Sequence, residues 1–409
     1  MDFDSLTAAQ RRIYLETVAQ THHREVEMRV LTLDGAAVTS LTNVFLGGSI
    51  QGDSTRTPCE VLEADVLDED FKLAWSNGEH RKYKIRVVDS RFIPDLNDWV
   101  DQVVFTGPLW DFDRKGPEVS LVAHGSELLA LGSVRRVMTR PRKTRATAVI
   151  RDLLVAAGAT SGVLSIPNLG AKLPERVTIG VRRGKRKGHK KDKRKPKKVQ
   201  MFRATPEDAY WTEAEQIAEA INRDLFCDGR GRFVLRSPVK RPAVTFTNAT
   251  ILSPVSERRP AEGEVTNTWV VLGADPKGPK KRVEARVSLP ARHPLSAESL
   301  GWHGKPREVI ARIENKQLRT NAAARAVGVK HRDRAMREMV EYEVEALPIV
   351  GWLRPDSLVS VPTGGGRALA RVKQWTLPLG PGADPLVIGA NRRRSGAPKR
   401  RHDSVWSSR

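Results

Sequence analysis

Residues 83–90 of the chain read "YKIRVVDS", and in this stretch apolar and polar side chains alternate. In an extended strand Ile85 and Val87 face one way, while Lys84 and Arg86 face the other. Such an alternation of period two is typical of a β-strand with one face against a core and one face in water. The stretch therefore predicts an antiparallel sheet that is exposed on one side.

Two regions of the chain show this β-strand pattern and have a similar order of predicted strands. Each contains a strictly alternating strand (83–88 in the first region, 340–346 in the second), and each ends in a short apolar strand (119–123 and 386–390). Many short strands at such spacing are typical of a sandwich or a barrel. We therefore predict two similar antiparallel β domains within one chain.

Helical periodicity appears between the two β regions. The stretch "TRATAVIRDLLVAAG" (144–158) repeats apolar residues at helical spacing, and so does "WTEAEQIAEAINRDLFCDG" (211–229). Thr212 and Glu215 have the spacing of a capping box, which predicts that the second helix begins at this threonine. An Asp-Gly turn and the strand "RFVLR" follow, so this region predicts a small α/β domain.

A third helical stretch, "TNAAARAVGVKHRDRAMREM" (320–339), lies inside the second β region. Small side chains at Ala322 and Ala326 predict a narrow seam that packs closely at an interface, because alanines alone bury little surface.

The predicted fold class is α+β, mainly β, with two similar antiparallel β-barrel or sandwich domains, an inserted small α/β domain and a helical insert. The predicted segments are an N-terminal helix or arm at 1–23, a first β domain at 24–135, an α/β insert at 136–242 with a basic loop at 182–198, a second β domain at 243–390 with a helical insert at about 292–339, and a disordered basic tail at 391–409.

Positive charge is concentrated in two short runs. Residues 182–198 contain twelve Lys or Arg and one Asp, and residues 391–409 contain seven and one, so the two runs carry +17 of the formal charge of +22. The remaining chain is only mildly basic, and the high overall charge is therefore a property of local segments.

The first run has two interpretations. It could bind phosphates without regard to sequence, although it lacks the aromatic side chains on which single-stranded nucleic acids stack. It could equally be a solvated loop that contacts an acidic neighbour, which is the interpretation we favour. The candidate electrostatic contacts are Arg182, Arg183, Lys185, Arg186, Lys187, Lys190, Lys191, Lys193, Arg194, Lys195, Lys197 and Lys198.

Motifs for catalysis, cofactors and metals are missing from the sequence. The stretch "GVRRGKR" (180–186) resembles a phosphate-binding loop but has one residue too few between its glycines. Cys59 and Cys227 lie far apart in sequence, so we expect buried small side chains and neither a disulfide nor a ligand pair. The longest apolar runs, such as 153–159, are too short to span a bilayer. We therefore predict no catalytic residue, no cofactor, no metal site and no membrane span.

Taken in order, these elements resemble the tail-hub proteins of tailed bacteriophages, a family that includes baseplate hubs and late-control-protein-like minor tail proteins. Two stretches carry the resemblance. One is "WTEAEQIAEAINRDLFCDGRGRFVLRS" (211–237), and the other is "RTNAAARAVGVKHRDRAMREMVEYEVEALPIVGWLRPDSLVSV" (319–361). The shared order of domains covers roughly residues 24–390.

The resemblance implies a structural virion protein and no enzyme. Such hubs are homotrimers at the tail tip in which each chain contributes two similar barrels, so that three chains match a hexameric tail tube. The implied partners are the tail tube or distal tail protein, a central fibre or spike, and, as a further candidate, the tape measure protein. The implied trimer forms a channel for DNA passage during genome ejection, and it is assembled in the host cytoplasm before it becomes part of the virion.

Two alternatives remain open at the level of sequence. One is a nucleic-acid-binding protein that acts through its basic runs, and the other is a tail-associated cell-wall hydrolase. The absence of a recognisable pair of catalytic carboxylates or a metal set makes the second alternative the weaker one.

Overall fold

A computed structural model describes residues 1–18, 23–54, 56–69, 73, 75, 78–141, 144–173, 201–204, 208–239, 241–258, 266–274, 282–301, 303–337, 340–347, 353–354, 357–364, 366–380 and 386–393. Strand residues outnumber helical residues among them, and most strand contacts are antiparallel. The predicted mainly-β α+β class is therefore confirmed.

The first β region follows an N-terminal helix, α1 (Ala8–Val18). Its strands are β1 (Arg24–Thr32), β2 (Ala37–Ser40), β3 (Phe45–Asp53), β4 (Glu60–Leu67), β5 (Tyr83–Ile93), β6 (Asp98–Lys115) and β7 (Glu118–His124). The burial of β5 alternates along the whole strand, with Ile85 and Val87 fully buried. The alternation of "YKIRVVDS" thus separates a core face from an outer face, as predicted.

The α/β insert comes next in the chain. It contains α2 (Glu127–Ala130), β8 (Met138–Pro141), α3 (Ala146–Ala156), β9 (Leu164–Ser165), β10 (Met201–Ala204), α4 (Tyr210–Ala220), β11 (Asp224–Cys227) and β12 (Phe233–Arg236). Helices α3 and α4 bury Ile150, Leu153 and Ile217 in a core of their own, together with Phe233 from β12.

Helix α4 begins earlier than the predicted capping box. Its first residue is Tyr210 and its N-cap is Ala209, which makes no side-chain capping bond, so the prediction that Thr212 caps the helix is wrong. Tyr210 and Trp211 are both buried, and the backbone N–H of Arg135 donates to the Tyr210 hydroxyl at 2.9 Å. Burial of two aromatic rings extends the helix by one turn and outweighs a local cap.

The second β region contains a second insert. Its elements are β13 (Val244–Thr245), β14 (Ser256–Arg258), β15 (Thr268–Leu272), β16 (Glu284–Ser288), β17 (Ile310–Glu314), α5 (Asn321–Arg337), β18 (Glu341–Ala346), β19 (Leu358–Thr363), β20 (Gly366–Pro378) and β21 (Leu386–Arg393). Strands β15, β16 and β17 form a small separate sheet, against which α5 packs. The predicted helical insert at about 292–339 is therefore incomplete, because it omits two strands of this sheet.

Thirteen strands within the described ranges form one large sheet. Its main order is β14-β18-β21-β20-β3-β4-β7-β6-β5-β1-β2, with β19 beside β20 and β13 beside β19. Strands of both β regions are therefore hydrogen-bonded into one structure, and the contact between them is β20 against β3. In that contact Gln374 faces Asp53 and Pro378 faces Ser49.

The same pairing order occurs twice in this sheet. Repeat 1 has the order β3-β4-β7-β6-β5-β1, and repeat 2 has the order β14-β18-β21-β20-β19-β13. The first four contacts are antiparallel in both repeats. The last contact differs, because β1 is antiparallel to β5 whereas β13 is parallel to β19.

A β-bulge lies at the same place in each repeat. Against β7, strand β6 skips one residue between Leu109 and Asp111; against β21, strand β20 skips one residue between Val372 and Gln374. A bulge fixes the local register and bends the strand, so its recurrence makes the residues after it correspond one to one.

The topology corrects one correspondence read from the sequence. The short strands at 119–123 and 386–390 do match, as β7 and β21. The alternating strands at 83–88 and 340–346 do not match, because β18 occupies the position of β4 in repeat 1, and β5 corresponds to β19. Alternation reports only that one face of a strand is buried, so it cannot tell which position the strand takes in a sheet.

One hydrophobic core lies under both repeats. It contains Val30, Leu62 and Phe105 from repeat 1, and Tyr342 and Trp375 from repeat 2. The predicted boundaries of the two β domains stay a prediction. The structure adds that the two regions share a core and a sheet.

Strand β21 ends at Arg393, so it extends three residues into the predicted tail at 391–409. Asn391 pairs with both Glu341 and Arg371, which brings it into the sheet. The rest of that tail lies outside the described residues. None of the helices in the described ranges combines the length and apolarity that a bilayer crossing requires.

Candidate assembly surfaces

A buried charged joint connects repeat 1, repeat 2 and the α/β insert. In repeat 1 the carboxylate of Glu60 lies 3.3 Å from Nε of Arg354, which precedes β19 of repeat 2. A second nitrogen of Arg354, Nη2, donates to the carbonyl of Val104 on β6 at 3.2 Å. Both side chains of the ion pair are less than a tenth exposed, at 8% and 4%. This contact links the two repeats through buried side chains, and Arg354 adds a hydrogen bond to the backbone of repeat 1.

The two cysteines meet at the same joint. The thiol of Cys59 donates to Oε1 of Glu127 at 3.1 Å, and the backbone N–H of Cys227 donates to the same oxygen at 3.0 Å. Both are free thiols, with Cys227 buried and Cys59 partly buried. Their convergence could not be predicted from the sequence, because 168 residues separate them and the carboxylate that joins them lies on a third element.

Burial determines the protonation states at this joint. It raises the pKa of Glu60 to about 7, because the loss of water outweighs the attraction of Arg354, and Glu127 and Asp228 add repulsion. Burial also raises the pKa of both thiols well above the ordinary value, with further repulsion from Glu127. The cysteines therefore remain protonated at neutral pH and lack the thiolate that nucleophilic chemistry requires.

A second buried network also connects the repeats. Asp89 on β5 accepts hydrogen bonds from Arg24 at 2.8 Å and from Arg91 at 2.7 Å, and Arg24 donates to the carbonyl of Pro378 at the end of β20. Burial raises the pKa of Asp89, but Arg91 and Arg24 together outweigh it, so the pKa lies below the usual range. The carboxylate is therefore charged at neutral pH and holds both arginines in place.

Helix α5 packs through residues other than the predicted pair. Ala324, Val327 and Gly328 are buried against the small sheet, whereas Ala322 and Ala326 are exposed. A side chain at Gly328 would come within 2.7 Å of Val287, so a glycine permits the close approach. The seam within the chain is therefore offset from the predicted one, and a role of Ala322 and Ala326 in contacts between chains stays a prediction.

The basic residues predicted as electrostatic contacts, from Arg182 to Lys198, lie outside the described residues. In the second basic run, Arg392 and Arg393 belong to β21 through their backbones.

Two concave regions lie on the described surface. A cleft between the β1–β2 hairpin and the α/β insert has a volume of about 60 Å³. A groove formed by residues 251–255 and 362–364 is larger, at about 430 Å³, but no ionisable side chain lines it. Among the described residues no group of three or more His, Cys, Asp or Glu side chains is placed to bind a metal ion.

The exposed strand edges are the remaining candidate surfaces. Strand β14 lies at one end of the large sheet, and all three of its residues are exposed. Strand β2 lies at the other end of the main order. The edge of a sheet is where its backbone donors and acceptors can extend into another chain.

Known structures share this fold over nearly their whole length. A 43 kDa tail protein of prophage MuSo2 from Shewanella oneidensis aligns with a TM-score of 0.56 at 11% identity, over 90% of this chain and 98% of that one. A tail protein from Neisseria meningitidis aligns with a TM-score of 0.54 at 11% identity, over 90% and 96%. No protein-family model and no curated protein sequence matches the chain. The chain therefore has the fold of these tail proteins, which confirms the resemblance at the level of the fold.

Proposed function

We propose that the protein is a structural component of a bacteriophage tail, and that three copies form the hub at the tail tip. In this role the trimer joins the hexameric tail tube to a distal fibre or spike and surrounds the path by which DNA leaves. The protein catalyses no reaction in this proposal. Its function is to match two assemblies of different symmetry and to stay rigid while it does so.

The observation that carries the proposal is the recurrence of one strand order within one chain. A ring of three chains must present six similar surfaces to match a sixfold partner, and a chain with two similar units meets this requirement. Repeats 1 and 2 share their pairing order and the position of a bulge, although their residues differ. The shared fold with two tail proteins supports the same proposal.

The buried charged contacts suit such a role. Glu60 with Arg354 connects the two repeats directly, and Asp89 holds Arg24, which donates to the Pro378 carbonyl of repeat 2. Moving the repeats apart would leave these buried polar groups without partners, so the two repeats resist movement relative to each other. An adaptor between a tube and a fibre needs this rigidity in order to transmit force.

The first experiment is the mass of the purified full-length protein in solution, followed by electron microscopy. We expect a trimer, and class averages of a ring with six similar densities around a central opening. A protein that is monomeric at every concentration, or a ring with another number of repeats, would refute the hub.

The two alternative functions make different predictions. A nucleic-acid-binding protein should bind duplex DNA at physiological salt, whereas basic runs that serve another purpose bind it only in dilute buffer. A cell-wall hydrolase should clear host peptidoglycan in a zymogram, and a single Asp or Glu substitution should abolish the clearing. We expect weak, salt-sensitive DNA binding and no clearing.

A further inference from the structure

Arg86 is a cation without a partner in the described part of the chain. It lies partly buried on the outer face of β5, and its Nε atom is buried with no hydrogen-bond partner. Arg29 faces it directly on β1. Burial lowers the pKa of Arg86, and the positive charges of Arg29 and Arg230 lower it further. Because a desolvated charge without a counter-ion is costly, this position favours an anion.

Carboxylates in this region are engaged with the other cations. Arg29 pairs with Glu27 on its own strand. Arg230 pairs with two aspartates of the N-terminal segment, at 2.6 Å and 3.0 Å. An anion from another molecule can therefore pair with Arg86 without breaking either contact.

The cleft between the β1–β2 hairpin and the α/β insert lies beside Arg86. Thr106 faces Arg86 across β5 and β6, and Lys84 is two residues away on the same face of β5. Both Thr106 and Lys84 line the cleft. Nζ of Lys84 donates to the carbonyl of Leu33 at 3.1 Å, which uses one of its three N–H donors. A ligand in this cleft is therefore next to two cationic side chains.

The turn between β11 and β12 forms another wall of the cleft, through Arg230 and Gly231. Oδ1 of Asp228 accepts from the backbone N–H of Arg230 at 3.0 Å, which holds the turn in shape. Gly231 has a φ of 73°, and a Cβ there would lie 2.8 Å from Oγ of Ser126 and 3.0 Å from the carbonyl of Thr106. The turn is thus fitted closely against repeat 1. The cleft is formed before a ligand binds, which lowers the entropic cost of binding.

The remaining lining of the cleft is mainly apolar. It includes Leu33, Pro108, Leu129, Leu154, Val163 and Phe233. An apolar cavity of about 150 Å³ accommodates benzene, so a cleft of about 60 Å³ accommodates a smaller group, such as the isopropyl group of valine. A phosphodiester has no apolar group next to its charge. The last residue of a protein chain has both, since its carboxylate and its side chain are attached to the same carbon atom.

We propose that this cleft binds the C-terminal carboxylate of another protein, whose last side chain is small and apolar. Arg86 donates two parallel N–H bonds to the carboxylate, Lys84 adds a second positive charge, and the apolar side chain enters the cleft beside Leu33. The site itself does not depend on the hub. Only the identity of the partner, a neighbouring tail protein, rests on the proposed function.

Small molecules with matched structures test the ligand class. N-acetyl-L-valine contains the carboxylate and the isopropyl group, N-acetyl-L-valine amide lacks the charge, and N-acetylglycine lacks the isopropyl group. In titrations of the full-length protein followed by ligand-observed NMR, we expect N-acetyl-L-valine to bind with a Kd in the millimolar range and the other two at least about tenfold more weakly. Inorganic phosphate and N-acetyl-L-aspartyl-L-valine amide should also bind more weakly. Equal binding of phosphate would indicate a general anion site, equal binding of the aspartyl compound would indicate an internal acidic residue, and either result would overturn the proposal.

Substitution of Arg86 tests the site. Arg86→Met removes the charge, so we expect binding of N-acetyl-L-valine to weaken at least about tenfold, while the melting temperature stays the same or rises because an unpartnered cation is lost. Arg12→Met is the matched control, since Arg12 is exposed on α1 outside the cleft lining, and it should change neither value. Unchanged binding in Arg86→Met would overturn the site and leave the hub intact. A protein that binds N-acetyl-L-valine but never forms trimers would keep the site and remove the hub.

Discussion

Glu60 should make the stability of the protein depend on pH in a direction opposite to that of most carboxylates. Its pKa is raised from 4.5 to about 7 in the folded chain, because it is buried near Glu127 and Asp228. The folded state therefore binds this proton more tightly than the unfolded state, and the unfolding free energy falls as the pH rises from 4.5 toward 7. Integrated between pH 5 and pH 8, the shift corresponds to a loss of about 2.5 kcal/mol.

The variant Glu60→Gln removes this titration and keeps the shape of the side chain. We expect the unfolding free energy of the wild type, measured in urea by tryptophan fluorescence, to fall by about 2.5 kcal/mol relative to Glu60→Gln between pH 5 and pH 8. Other titrating groups are common to both proteins and cancel in the difference. Glu63→Gln is the matched control, since Glu63 is exposed on the same strand, and its curve should run parallel to that of the wild type. If the curve for Glu60→Gln also runs parallel to the wild type, the joint does not hold a protonated carboxyl near neutral pH.

Three further predictions concern packing and charge. Gly229→Ala should lower the unfolding free energy by about 1–3 kcal/mol, because the added Cβ would lie 2.7 Å from the Val104 carbonyl and against Arg354. Gly47→Ala is the control in the same thermal melts, since its added Cβ would have no neighbouring atom within 4 Å. Deletion of residues 182–198 should leave the melting temperature and the oligomer unchanged and reduce DNA binding in dilute buffer; an unfolded α/β insert would contradict this. Ala324→Glu should destabilise the single chain, whereas Ala326→Glu should spare its melting temperature and impair assembly; loss of stability in both variants would contradict the distinction.

Local patterns predicted the elements of this fold better than their arrangement. The alternation in "YKIRVVDS" identified β5 and its buried face. A strand with one face in the core and one in solvent alternates apolar and polar residues, so its sequence shows both faces. The start of α4 was missed because Tyr210 and Trp211 are held by tertiary contacts, which override a local cap signal. Residues 340–346 were matched with β5, although they form β18, which corresponds to β4. The cause is similar, because the position of a strand in a sheet depends on strands that are far away in sequence.

The candidate surfaces were harder to predict, for a physical reason. Cys59, Glu127 and Cys227 become neighbours only when three separate elements fold together, and none of them belongs to a recognisable motif. Ala322 and Ala326 were chosen for their size, but the rotation of α5 about its axis decides which small residues are buried.

The two repeats differ most in one connection. Between β3 and β4 the chain needs only residues 54–59, whereas between the corresponding strands β14 and β18 it carries residues 259–340, with a small sheet and α5. In a closed ring of three chains the strands would follow a sixfold pattern, while this bulky connection would appear at every second position only. A partner that rests on the strands would then meet six equal contacts, and a partner that reaches the connections would meet three. The change of symmetry would be built into the length of a single loop.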